Sequence, residues 1–140
     1  WIFSNFVNLA GLPEALLAAV TAFDLGPWVV MGLILLIYIV LGCVFESMSM
    51  LLLTVPIFFP LVNSLGFDPV WFGIIVVVVT EISLITPPVG LNVFVLKSVV
   101  GDVTTATIFK GVTPFWMMDI VRLILLLLFP TLVLFLPSQM

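Results

Sequence analysis

The 140 residues are 64% hydrophobic and 7% charged, with a formal net charge of −4 and a mean hydropathy of +1.51. Three Lys or Arg and seven Asp or Glu cannot cover a water-soluble globule of this size, so the composition predicts an all-α, polytopic transmembrane chain in a lipid bilayer. The sequence has no basic patch for a nucleic acid and no histidine for a transition metal or for His-based catalysis, and its single cysteine, Cys43, cannot form an internal disulfide and is read as a small core residue.

The first block, 1–26, reads as the end of a helix (Trp1 to Ala10) followed by a short helix from Leu12 to Phe23. Pro13 and Glu14 suit that helix's N-terminus. At about 11 residues it is too short to cross a hydrocarbon core of about 30 Å and is expected along the membrane surface or between membrane elements. Because the chain opens on Trp1 with no charged leader, it is read as the C-terminal part of something longer.

Block 27–66 holds two apolar runs, Trp28 to Phe45 and Met50 to Val62, around the polar stretch Glu46, Ser47, Met48 and Ser49. Two spanning helices with a tight aqueous turn would give this pattern. So would a re-entrant hairpin whose tip stays at membrane depth. The tip has no Gly, Pro, Lys or Arg, which an exposed connection usually carries, and small hydroxyls beside a carboxylate suit an oxygen-lined cation pocket. Glu46 serves equally well as a helix-capping acid.

Block 67–98 opens on a turn rich in Gly, Asp and Pro, then runs apolar into Thr80 to Lys97, TEISLITPPVGLNVFVLK. Pro87 and Pro88 supply no amide hydrogen, release carbonyls near Glu81 to Ser83 and push Thr86 out of the helical region, while Gly90 permits angles other residues avoid. The stretch predicts a helix broken inside the membrane. Irregular backbone there survives only where protein buries it or where it lines a cavity. Freed carbonyls and two helix ends are what a cation and an anionic solute need, which makes Thr86, Pro87, Pro88, Val89, Gly90 and Asn92 candidate binding residues with Glu81 beside them. A proline kink used only for packing is the alternative.

Block 99–113 is a polar connection with a short surface helix from Thr104 to Lys110, and block 114–140 carries a last span from Phe115 to Leu136. Asp119 and Arg122 stand three apart and are expected to pair near one membrane boundary. Lys97 and Lys110 flank the connection 97–111, so the positive-inside rule puts it in the cytoplasm and the C-terminus on the far side.

The stretches LGCVFESMSMLLLTVPIFFPLVNSLGFDPVWFG, EISLITPPVGLNVFVLK and TPFWMMDIVRLILLLLFPTLVLFLP resemble the large membrane subunit of tripartite ATP-independent periplasmic (TRAP) transporters, the DctM-like family, in its C-terminal part. The resemblance implies the second of two inverted repeats, with Glu46 to Ser49 as its hairpin tip and Thr86 to Asn92 as its helix break. It further implies uptake of organic acids, of the C4-dicarboxylate or sialic-acid type, by sodium symport in an elevator movement. The sodium would sit mainly on backbone carbonyls near Ser47 and Pro87. A small four-helix membrane subunit and a periplasmic binding protein would be the partners, the bacterial inner membrane the location, and no cofactor beyond the coupling ion is expected. Relatives often carry Asp in place of Glu46, and position 92 varies among them. An intramembrane enzyme is disfavoured, because Ser47 has no histidine and no nearby lysine to activate it. A channel or a purely structural membrane subunit is the remaining alternative.

Overall fold

The structure is a computed structural model and describes residues 2–87, 89–135 and 137–139. Among them it contains helices and no strand: α1 Ile2–Leu9, α2 Leu12–Ala22, α3 Pro27–Gly42, α4 Ser47–Ser64, α5 Pro69–Ile85, α6 Leu91–Val100, α7 Thr105–Leu128 and α8 Pro130–Leu134, with a closing 3-10 turn at Pro137–Gln139. Two of the helices, α4 and α7, are long and apolar enough to cross a membrane. Only 6% of the apolar window in α7 is buried, so most of its surface awaits a covering.

Local chemistry sets most helix ends. Gly11, left-handed at φ 68°, precedes Pro13 and starts α2, and Gly26 precedes Pro27 at the start of α3. Two acids cap the next two helices. The Glu46 carboxylate accepts the Met48 and Ser49 amides at 2.9 and 3.0 Å, and Asp68 Oδ1 accepts those of Val70 and Trp71 at 2.8 and 3.1 Å.

Helix α5 is the centre of the fold. Phe72, Ile75, Val76, Val79 and Ile82 are buried against α3 residues Val30, Met31, Ile34 and Tyr38 and against Phe58, Leu61 and Val62 of α4. The Tyr38 hydroxyl lies 2.8 Å from that of Thr54, closing the α3–α4 pair with a buried polar contact. At one end Trp28, Phe67 and Trp71 form an aromatic cluster with ring centroids 5.2 to 6.3 Å apart. From there α3 and α5 run parallel for 16 and 17 residues, short of the roughly 20 that a full crossing takes, and they end side by side.

The C-terminal third differs from the sequence expectation. In place of a surface helix at Thr104 to Lys110 and a separate span at Phe115 to Leu136, α7 is continuous from Thr105 to Leu128 with Pro114 inside it. The boundary between blocks 99–113 and 114–140 therefore falls within a helix. Pro114 removes one backbone bond near the exposed start of α7, and Thr113 beside it donates its hydroxyl to Phe109 O at 2.8 Å. Pro130 does end the helix: Phe129 before it sits at φ −123° and ψ 73°, outside the helical region. The carbonyl of Leu126, which an amide at position 130 would have satisfied, instead accepts the Trp71 indole N–H at 2.9 Å. The far end of the expected span, Leu136, lies outside the described residues.

Candidate functional site

Where α3 and α5 end together, the hairpin meets the helix break. Gly42 and Ser83 are in such close contact that a methyl group on Gly42 would overlap the serine hydroxyl, with the two Cβ atoms 2.6 Å apart. Only glycine allows this approach. Next to it the buried Cys43 thiol reaches the carbonyl oxygens of Ser83 at 3.7 Å and Thr86 at 3.6 Å. Pro87 removes the amide that would have bonded Ser83 O in a continuous helix, so the thiol sits on an oxygen released by the break.

Thr86 leaves the helix at φ −83° and ψ 132°. Its amide turns to Ser83 O at 3.2 Å, and its hydroxyl takes over the Ile82 carbonyl at 2.6 Å. The same hydroxyl accepts the Trp116 indole N–H of α7 at 2.9 Å. Gly90 then restarts the chain as α6 at φ 59°, with the Phe109 ring and Thr86 O each 3.3 Å from where a side chain would begin. A small apolar recess of about 160 Å³, lined by Ile85, Pro87, Phe109, Val112, Thr113 and Trp116, opens under the break.

The structure brings together part of the residue set expected from sequence. Thr86 and Gly90 are buried at the break, Val89 is half-buried, and Pro87 and Asn92 are exposed. Pro88 lies outside the described residues. At the hairpin tip Glu46, Met48 and Ser49 are exposed and Ser47 is half-buried. The Ser49 hydroxyl donates to the Glu46 carboxylate at 3.2 Å, so this acid is committed to capping α4. Among the described residues no hydrogen bond joins Glu46 to Ser49 with Thr86 to Gly90. The contact is made one turn earlier, by Gly42 and Cys43.

Gly42, Ser83 and Trp116 are absent from the site residues expected from sequence, and Cys43 is expected there only as a small core residue. Two signals were present: Ser83 stands four residues before Pro87, and a pair of small residues closes α3. Glu81, expected beside the break, turns outward and pairs with Arg122 at 3.3 Å. Arg122 also holds Asp119 at 3.1 Å, the expected partner three residues away.

No group of three or more His, Cys, Asp or Glu side chains among the described residues could hold a metal ion. The oxygens at the break are backbone carbonyls and hydroxyls, which are hard ligands.

Residues 1–132 match the family described as tripartite ATP-independent periplasmic transporter, DctM component. The chain belongs to that family. It is 37% identical over 137 residues to the C4-dicarboxylate TRAP transporter large permease protein DctM of Pseudomonas aeruginosa, covering 98% of this chain and 32% of the relative. It is 35% identical over 137 residues to the sialic acid TRAP transporter large permease protein SiaM of Vibrio cholerae, again 98% of this chain and 32% of the relative. With the ectoine/5-hydroxyectoine TRAP transporter large permease protein UehC of Ruegeria pomeroyi it shares 33% over 135 residues, 96% of this chain and 31% of the relative. The DctM-type chain thus spans about a third of the length of these relatives.

Proposed function

We propose that this chain works as part of the large permease subunit of a sodium-driven secondary transporter for organic acids. In this reading it is the second of two inverted repeats, not an enzyme, and lies in the bacterial inner membrane with the connection 97–111 in the cytoplasm and the C-terminus in the periplasm. A periplasmic binding protein delivers the solute, and a small four-helix membrane subunit completes the complex. The observation that carries the reading is the meeting of two helix interruptions, the end of α3 at Gly42 and Cys43 with the break after Ile85. The first arm of the hairpin, α3, has only 16 residues and ends on Ser83 of α5, which favours a re-entrant tip over an aqueous turn between two full spans.

Ser83 and Thr86 present carbonyl oxygens to a thiol, a weak donor that a sodium ion displaces at little cost. The Trp116 to Thr86 to Ile82 chain of hydrogen bonds holds the break in shape, and the α6 N-terminus offers amides to a carboxylate. The relatives' names include C4-dicarboxylate and sialic acid, both organic acids, and those are the first solutes to test.

The test is uptake of labelled succinate or sialic acid into proteoliposomes holding the full-length subunit with its small subunit and binding protein. Saturable uptake that stops when the sodium gradient is collapsed is expected, and this chain alone should not transport. Uptake indifferent to sodium, or ion flux that never saturates with solute, would overturn the reading, the second in favour of a channel.

A further inference from the structure

We propose that Glu81, Arg122 and Asp119 form a docking face, at membrane depth, for a basic side chain carried elsewhere on the same large-subunit polypeptide. The proposal rests on the reading of this chain as part of a longer permease. Arg122 reaches Glu81 at 3.3 Å and Asp119 at 3.1 Å, so two carboxylates share one guanidinium and the cluster keeps an excess negative charge. It is open in this chain: the side chains of Glu81 and Arg122 are 61% and 46% exposed.

Arg122 lies 12 residues beyond Lys110 on α7, and Glu81 lies 13 beyond the cap Asp68 on α5. At 1.5 Å per residue these are about 18 and 20 Å from polar residues at opposite ends, deep within a core of about 30 Å and not near a boundary, where the sequence alone puts the Asp119–Arg122 pair. Val77, Met118, Val121 and Leu125, one turn away or less on the same two helices, are exposed and apolar. A net charge on such a face is unfavourable against acyl chains, and charged groups at this depth pair with protein or face water.

The chain cannot supply the missing cation itself. It has three Lys or Arg in all, and the other two are Lys97, in the last turn of α6, and Lys110, near the start of α7 and 12 residues from Arg122. The matched region is 32% of the Pseudomonas aeruginosa relative, so two thirds of such a polypeptide remains as a source. Glu81 stands five residues before Thr86, so whatever covers the cluster also borders the helix break. That position calls for a permanent part of the same folded subunit. The occupant is therefore a Lys or Arg on an otherwise apolar helix face.

The experiment places a photo-crosslinking residue, Met118→p-benzoylphenylalanine, in the full-length subunit in its membrane together with the small subunit. Val77→p-benzoylphenylalanine is the second position if the first does not fold. After irradiation the adduct is mapped by mass spectrometry. The expected adduct lies in the same polypeptide, within one helical turn of a Lys or Arg. Replacing that base by Ala should lower the folded yield several-fold, and adding Glu81→Gln should restore it. An adduct with lipid or with the small subunit, a protein adduct with no base nearby, no adduct from a folded variant, or a base whose loss changes nothing would each overturn the proposal. Crosslinking is read without transport, so absent sodium-driven uptake with an intact crosslink would sink the transport reading alone.

Discussion

Replacing Gly42 by Ala tests whether the α3–α5 contact holds the site together. The new methyl group would stand 2.6 Å from the Ser83 Cβ and overlap its hydroxyl, where apolar carbons settle near 3.5 to 4.0 Å. Ser83 has nowhere to go. It is fully buried, and its hydroxyl already donates to Thr80 O at 2.5 Å. The helices must part by about 1 Å, and overpacking of this kind costs about 1 to 3 kcal/mol, roughly a factor of 5 to 150 in the ratio of folded to unfolded subunit. The thermal midpoint of the full-length subunit in detergent, followed by size-exclusion chromatography, should fall accordingly, with uptake falling further because Cys43 moves off the Ser83 and Thr86 carbonyls. Adding Ser83→Gly removes both clashing atoms at about 1 kcal/mol for a helical glycine, so G42A/S83G should recover most of the loss. Ser83→Ala keeps the Cβ and should recover little. If G42A melts like the parent, or if S83A rescues as well as S83G, the contact is not the constraint described.

Three further outcomes are expected. Trp71→Phe leaves Leu126 O without a donor and should destabilise the subunit by about 1 to 3 kcal/mol; adding Pro130→Ala, which returns an amide to that carbonyl, should recover part of it, and a melting curve with no recovery would contradict the assignment. Gly90→Ala must adopt a left-handed backbone while pressing on Phe109, so uptake should drop even where folded protein is obtained, and normal uptake would show that the break tolerates a side chain. Glu46→Ala should lower the melting temperature, while Glu46→Asn, which still caps, should not. A fall in apparent sodium affinity with Glu46→Asn at unchanged stability would instead make the carboxylate an ion ligand.

Much of the architecture could be read in advance because it is written in residues with narrow backbone options. Pro87 and Gly90 announce the break, and Glu46 and Asp68 announce helix starts, through effects that reach no further than four residues. The contacts that make a site of the break span much longer separations: Trp116 to Thr86 across 30 residues, Cys43 to Ser83 across 40, Trp71 to Leu126 across 55. No local periodicity encodes such pairings. The same limit explains the two prolines of the C-terminal third. Pro114 stays inside a helix and Pro130 ends one, a difference that the two prolines themselves do not announce. Glu81 does stand near the break along α5, but its partner was not legible: only the antiparallel course of α7 gives it Arg122.

The indole of Trp71 has a consequence for biogenesis. Its acceptor is translated 55 residues after it, so the centre of the fold stays unlatched while α6 and most of α7 are still being made. A chain cut short before Leu126 would carry the Trp71 indole N–H without its acceptor, so this end of the fold latches only once α7 is nearly complete.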